Sequence, residues 1–113
     1  MRDDRERLRD ILEAIEKIYT HAQQGREIFD KDEMLQVWVI HHIQIIGEAA
    51  RAISDDLRNR ATNVPWSQIV AMRNALVHDY FGIDVNEVWQ VLERDLPDLK
   101  AKVEAILRAL GDS

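Results

Sequence analysis

The chain has 113 residues, of which 46% are hydrophobic and 32% charged, with a formal charge of −6 and no cysteine. This length predicts one domain, residues 1–113, built around a single core. The absence of cysteine excludes disulfides and cysteine-based zinc sites and fits a reducing cytoplasm, while the negative charge argues against a protein that coats nucleic acid non-specifically.

A first amphipathic helix is predicted directly behind a charged N-terminus. The first seven residues are mostly charged, and no long apolar segment follows them, so we expect neither a signal peptide nor a membrane span. The helix should end before Gly25. Its apolar residues recur every three or four positions: Leu8, Ile11, Leu12, Ile15, Ile18 or Tyr19, and Ala22.

The second predicted helix runs from a capping box, Asp30 with Glu33, to about Ile53. It carries two apolar stripes, the first with Leu35, Val39, Ile43, Ile46, Ala50 and Ile53, and the second with Met34, Trp38, His41, Ile45, Ala49 and Ala52. A helix that is apolar over so much of its circumference should be buried on two sides. We therefore expect its own bundle to cover one stripe and a second subunit to cover the other, which predicts a homodimer.

A polar segment, residues 54–64, follows and is interpreted as a loop that has room for one helical turn at 55–60. Pro65 then opens the third long helix, because proline is favoured in a first turn, and Gly82 is its predicted stop.

The last part of the chain predicts two more helical segments. Asp84 with Glu87 resembles a second capping box, and Pro97 should start a new segment that ends at Gly111. No strand pattern is present. The predicted fold is therefore all-α, an up-and-down bundle of four long helices plus short extra helical turns.

The third helix carries the most informative stretch, residues 73–80, which place Arg73, His78 and Tyr80 within eight positions. An arginine offers a fixed fork of donors to a phosphoryl group, and a histidine titrates near working pH. On an unbroken helix Arg73 and His78 would lie roughly 140° apart. Their convergence on one phosphate needs a helix that ends or loosens near His78, or a second copy of the chain.

This stretch resembles the Arg, four residues, His, one residue, Tyr motif of the HEPN superfamily. Flanking landmarks extend the similarity to the HepT-like (DUF86) branch over residues 30–110: Ile46-Gly47-Glu48-Ala49, Pro65-Trp66, Tyr80-Phe81-Gly82-Ile83-Asp84, Val88-Trp89 and Asp95-Leu96-Pro97-Asp98-Leu99. The resemblance implies a small helical homodimer that acts as a metal-independent ribonuclease toxin. It also implies a nucleotidyltransferase antitoxin that uses ATP to attach AMP to the motif tyrosine.

On this resemblance, Arg73 would hold the scissile phosphate and His78 would act as general acid or base in RNA cleavage, with tRNA a candidate substrate. Tyr80 would accept AMP. Asn74 lies on the His78 side of the helix and would orient the imidazole or the phosphate, although a cap or an interhelical hydrogen bond explains it equally well.

Two neighbours in the second helix complete the candidate site. Gly47 costs helix stability, and close approach of another backbone is its best explanation. Glu48 stands in an apolar run and needs a partner, for which Arg73 is the candidate. His41 and His42 point about 100° apart and have no complementary ligands, so we expect packing there and neither a metal site nor a cofactor.

Charge is unevenly distributed along the chain. Residues 51–78 carry four basic and two acidic side chains, whereas the segments before and after are acidic. The four basic residues are Arg51, Arg58, Arg60 and Arg73. This pattern is compatible with chance and equally with an anionic substrate at that face. The alternative to a ribonuclease is a non-catalytic helical module that partners a nucleotidyltransferase.

Overall fold

The computed structural model describes residues 3–78 and 84–111, except for the side chains of Val77 and His78. Within these ranges the chain is helical and contains no strand, which confirms the all-α prediction. The helices are α1 (Asp4–Ala22), α2 (Arg26–Lys31), α3 (Glu33–Ala52), α4 (Asp55–Arg60), α5 (Trp66–His78), α6 (Val85–Gln90) and α7 (Leu96–Ala109), with a π-helical turn at Val91–Asp95. No helix in the described ranges is long and apolar enough to cross a membrane.

Helix α3 is the centre of the bundle. It packs against both α1 and α5, and α1 packs in turn against α7. The first predicted stripe of α3 is buried along its whole length, and Val39, Ile43 and Ile46 are completely inaccessible to solvent. The apolar periodicity of α1 is confirmed in the same way, since Leu8, Ile11, Ile15 and Ile18 are fully buried.

The second stripe of α3 is mostly uncovered in a single chain. Met34 is 83% exposed and Trp38 38% exposed, and the neighbouring Val37 is 55% exposed. Towards the other end of the stripe Ile45 is half-buried and Ala49 is buried. One chain therefore satisfies one stripe and leaves a patch of large apolar side chains at the start of α3.

The predicted cap at Asp30 is wrong, because a short helix that the pattern did not predict precedes α3. Asp30 lies inside α2, where its carboxylate is 3.4 Å from the Arg26 guanidinium. The chain then extends at Asp32, whose side chain accepts the Leu35 backbone N–H at 3.0 Å and caps α3.

The segment interpreted as a loop contains helix α4, at the position 55–60 where the sequence left room for a helical turn. Ser54 caps it by accepting the Leu57 backbone N–H at 3.2 Å. Asp4 at the start of α1 accepts hydrogen bonds from the Ser54 backbone N–H and hydroxyl, at 3.0 and 2.6 Å. Arg58 donates to the carbonyls of Ala50, Arg51 and Ile53, which satisfies the C-terminal end of α3.

The last helical segment begins where the sequence predicted, because the Asp84 side chain accepts the backbone N–H groups of Asn86 and Glu87. A new helix, α7, begins next to Pro97 as predicted, but no break separates it from α6. The chain stays helical from α6 into α7 through the π-helical turn, and Pro97 occupies the first turn of α7. Gly111 has a φ of +86° and follows the end of α7, as predicted.

The π-helical turn adapts the chain to Pro97. The Leu96 N–H donates to the Val91 carbonyl, five residues back, so the same spacing would pair residue 97 with Leu92. Proline has no N–H to donate. The Tyr19 hydroxyl of α1 supplies the missing donor at 2.8 Å from the Leu92 carbonyl oxygen.

Burial raises the pKa of Tyr19 above its ordinary value near 10, so the hydroxyl stays protonated at neutral pH.

We expect Tyr19→Phe to lower the free energy of unfolding by about 1–3 kcal/mol, because the Leu92 carbonyl then has no donor. Urea denaturation of the purified chain measures this change. The matched control introduces Pro97→Ala, which restores an N–H at residue 97. In that background Tyr19→Phe should cost clearly less, and an equal cost in both backgrounds would contradict the account of the turn.

Candidate functional site

The centre of the candidate site is a close approach between α3 and α5 at Gly47 and Arg73. A Cβ atom placed on Gly47 would lie 2.5 Å from Arg73 Cγ and closer still to Arg73 Cβ. No flexible side-chain end is available to move aside there, because both atoms belong to the root of the arginine. The prediction of a close approach at Gly47 is thus confirmed, but the neighbour is the stem of Arg73 rather than a backbone.

The guanidinium of Arg73 is held by two side chains that the sequence singled out. Arg73 Nη2 lies 2.6 Å from Glu48 Oε1, and Arg73 Nη1 donates to Asn74 Oδ1 at 3.0 Å. The Arg73 side chain is 27% exposed and that of Glu48 51% exposed, so water screens the ion pair. The pair therefore contributes more to the orientation of the guanidinium than to stability.

Arg73 lines a cleft between α1, α3 and α5 with a volume of about 260 Å³. Its Nε is buried and has no hydrogen-bond partner within the described part of the chain. The other lining residues are Arg7, Asp10, His41, Gln44, Ile45, Glu48 and Ala49. Arg7 was not among the candidates drawn from the sequence.

The signal that could have found Arg7 is its register on α1. Arg7 precedes Ile11 by one turn and continues the line of Ala14 and Ile18, all three of which are buried. An arginine in line with a buried stripe is unusual, because its charge must be solvated or paired there.

Two other predicted site residues cannot be placed. The side chain of His78 and the whole of Tyr80 lie outside the described residues. The structure therefore brings together Arg73, Asn74 and Glu48, while the relation of Arg73 to His78 and Tyr80 stays a prediction.

The two adjacent histidines of α3 take different environments. His42 is 4% exposed, and its Nδ1 donates to the Trp38 carbonyl at 2.8 Å. His41 is exposed and lines the cleft. In the described ranges, no group of three or more His, Asp or Glu side chains is arranged to hold a metal ion.

The arginines of the basic segment have different surroundings. Arg58 is used by the backbone carbonyls at the end of α3, and Arg60 lies 3.6 Å from Asp56 within α4. Local contacts thus account for two of the four arginines, and Arg73 is the one that lines the cleft.

A larger groove lies on another face of α5, with a volume of about 400 Å³. Its floor is apolar, with Ile69, Leu76 and Leu99 among the lining residues. The charged residues that line it are Glu87, Asp95 and Asp98. Three carboxylates and no described cation make this groove unsuited to phosphate. The candidate site is therefore the smaller cleft that Arg73 lines, although this groove has the larger volume.

Comparisons with known proteins agree on one family. The family model described as "Ribonuclease HepT-like" matches residues 11–106. A protein of Methanocaldococcus jannaschii named "Putative RNase MJ1380" is 38% identical over 106 residues, 93% of this chain and 97% of its own length. The "Probable ribonuclease HepT" of Thermococcus cleftensis is also 38% identical over 106 residues, covering 93% of this chain and 96% of that protein. No solved structure gives a significant match.

We expect Gly47→Ala to destabilise the chain, although alanine is the better helix former by about 1 kcal/mol. The added methyl group collides with the root of Arg73, and overpacking of this kind costs about 1–3 kcal/mol. Urea denaturation measures the net effect, with Ala52→Gly at the exposed end of α3 as the control for helix propensity alone. A Gly47→Ala variant as stable as the wild type, with unchanged activity, would contradict the close approach.

Proposed function

The chain belongs to the HepT-like ribonuclease family, and we propose that it is a metal-independent endoribonuclease, the toxin of a toxin–antitoxin pair. The observation that carries the proposal is the held but incompletely satisfied guanidinium of Arg73, which lines an open cleft. Such a group is suited to bind a phosphodiester, because a guanidinium offers several donors in a fixed plane.

In the proposed reaction the ribose 2′-hydroxyl attacks the adjacent phosphorus, and the bond to the 5′-oxygen of the next nucleotide breaks. His78 takes the proton from the 2′-hydroxyl or supplies one to the leaving 5′-oxygen. Arg73 stabilises the negative charge that develops on the phosphoryl oxygens. Glu48 and Asn74 keep the plane of Arg73 fixed, so that little reorganisation is needed when the substrate binds.

The active form is proposed to be a homodimer that joins through the start of α3. Met34, Val37 and Trp38 form an exposed apolar patch, and a patch of large apolar side chains on a small chain is typical of an interaction surface. Ile45 continues the patch to the cleft that contains Arg73. A second subunit bound there would bring two clefts close together, which is the composite site that the motif spacing calls for.

Control of the toxin is proposed to reside in a nucleotidyltransferase partner. It would transfer AMP from ATP to the Tyr80 hydroxyl and release pyrophosphate. The adduct adds a bulky anion two residues from His78, where it would compete for donors that the substrate phosphate needs.

RNA cleavage should survive EDTA, because an acid–base group and a cation from the chain itself perform the chemistry. The assay incubates purified protein with total tRNA in chelator. His78→Ala should lower the rate about 100-fold or more, and Arg73→Ala should do so as well, whereas Lys100→Ala, at an exposed position of α7, should not. Loss of cleavage in EDTA that added Mg²⁺ restores would refute the mechanism.

Charged substitutions in the exposed patch should convert the dimer to monomer. Met34→Glu and Val37→Glu suit this test, because both side chains are exposed in one chain and their replacement should leave the monomer folded. Gln24→Glu is the control for the added charge. Sedimentation at micromolar concentration gives the mass, and a wild-type chain that sediments as a monomer would contradict the prediction.

Co-expression with the cognate nucleotidyltransferase should add one AMP to Tyr80, and Tyr80→Phe should remain unmodified. Mass spectrometry of peptides locates the adduct. Tyr19→Phe is the matched control, because its hydroxyl is already hydrogen-bonded to the Leu92 carbonyl. An adduct on Tyr19, or suppressed toxicity without any adduct, would move control away from Tyr80.

A further inference from the structure

Two arginines from different helices line the same cleft, and each has one buried donor without a described partner. Arg7 of α1 and Arg73 of α5 both line it, and the Nε of each is buried without a hydrogen-bond partner among the described residues. A buried donor that lacks an acceptor destabilises the folded chain, so two in one cleft call for an explanation. A ligand that supplies acceptor oxygens provides one.

Arg7 is the more informative of the two, because the described residues include no ion-pair partner for it. Its side chain is half-buried beside the apolar face of α1 rather than extended into solvent. Acidic residues outnumber basic ones in this chain, 21 to 15, so an unpaired arginine on its folded surface is not a consequence of composition. Arg73, by contrast, has two of its nitrogens engaged by Glu48 and Asn74.

The remaining lining residues define what can bind. Glu48 and Asp10 are acidic, Glu48 is neutralised by Arg73, and Asp10 has interactions of its own. His41 and Gln44 add polar groups on the α3 side. The two arginines and the two carboxylates balance in charge, so the electrostatic potential in the cleft should be weak. An anion that binds there would be held mainly by directed hydrogen bonds. Its 260 Å³ is below the size of most ligand pockets and fits one phosphate group rather than a whole nucleotide.

We propose that Arg7 is a second phosphate-binding residue, and that the cleft holds one phosphodiester group of a single-stranded RNA between Arg7 and Arg73. The inference rests on the proposed ribonuclease function, and it adds α1 to the elements that contact the substrate. Two arginines that line one cleft can share the two free oxygens of one phosphodiester. Binding then supplies an acceptor for the Arg7 guanidinium, beside an Arg73 that Glu48 and Asn74 hold in place, and fixes the RNA backbone relative to α1 and α5.

The test measures RNA binding separately from RNA cleavage. A mixed-sequence single-stranded RNA is titrated, at several salt concentrations, against His78→Ala protein that also carries Arg7→Ala, Arg7→Gln or Arg7→Lys. Arg108→Ala, which removes an exposed arginine from α7, is the matched control for charge. Cleavage rates are measured for the same Arg7 and Arg108 variants with His78 intact. Thermal unfolding and sedimentation verify that each variant keeps its fold and its oligomeric state.

We expect Arg7→Ala and Arg7→Gln to weaken RNA binding about ten- to hundredfold, because a charge-assisted contact is lost. The salt dependence should fall by about 0.7 in the slope of log K against log salt, the value for one phosphate contact on a single strand. Arg7→Lys should recover only part of the affinity, because it keeps the charge without the fork. Arg108→Ala should match the parent protein.

Arg7 variants that bind RNA as Arg108→Ala does would overturn the inference, as would a wild type that binds no RNA. Arg7→Gln that falls from dimer to monomer with its fold intact would also overturn it, because Arg7 would then serve the subunit interface. Binding that depends on Arg7 in a protein that cleaves no RNA would refute the proposed catalysis and support the phosphate site. The two proposals therefore fail on different measurements.

Discussion

The close approach of α3 and α5 at Gly47 is the constraint on which the candidate site depends. Any side chain at residue 47 would collide with the root of Arg73. With glycine there, α5 settles against α3, and the Arg73 guanidinium reaches Glu48 on the next residue of α3. A helix-interior glycine sacrifices about 1 kcal/mol of helix stability. That loss is small, whereas a phosphate site needs its arginine in a precisely defined position.

The magnitude of the Glu48–Arg73 interaction indicates what it does. Exposed ion pairs contribute about 0–1 kcal/mol to stability, and Glu48 is half exposed. The pair therefore contributes little to stability and acts mainly to position Arg73. The contact of 2.6 Å between Arg73 Nη2 and Glu48 Oε1 holds the guanidinium of this long side chain in place. Asn74 acts on the other Nη from the neighbouring position of α5. Together they engage both Nη groups and leave the buried Nε without a partner in the described part of the chain.

Elsewhere, side chains from distant segments complete the helix ends. Arg58 satisfies the end of α3, the Asp4 carboxylate joins α1 to the cap of α4, and Tyr19 supplies the donor that Pro97 lacks. Helix ends and proline sites leave carbonyls without partners, and each one buried without a donor costs about 1–3 kcal/mol. These contacts let a chain of 113 residues combine short helices, a π-helical turn and a bundle core.

The sequence alone determined the helical class, the buried stripe of α3 and the caps at Asp84 and Gly111, because periodicity and capping are local properties of the chain. It also predicted that Arg73 is the partner of Glu48, from a carboxylate in an apolar run, and the structure confirms that contact. It misplaced the cap at Asp30 and missed the short helix α2, since short helices depend on contacts beyond their own residues. Tertiary structure alone decided that Arg7 of α1 faces the same cleft as Arg73, 66 positions along the chain. Spacing along one helix carries no information about which other helix packs beside it, so such an encounter appears only when the chain is folded.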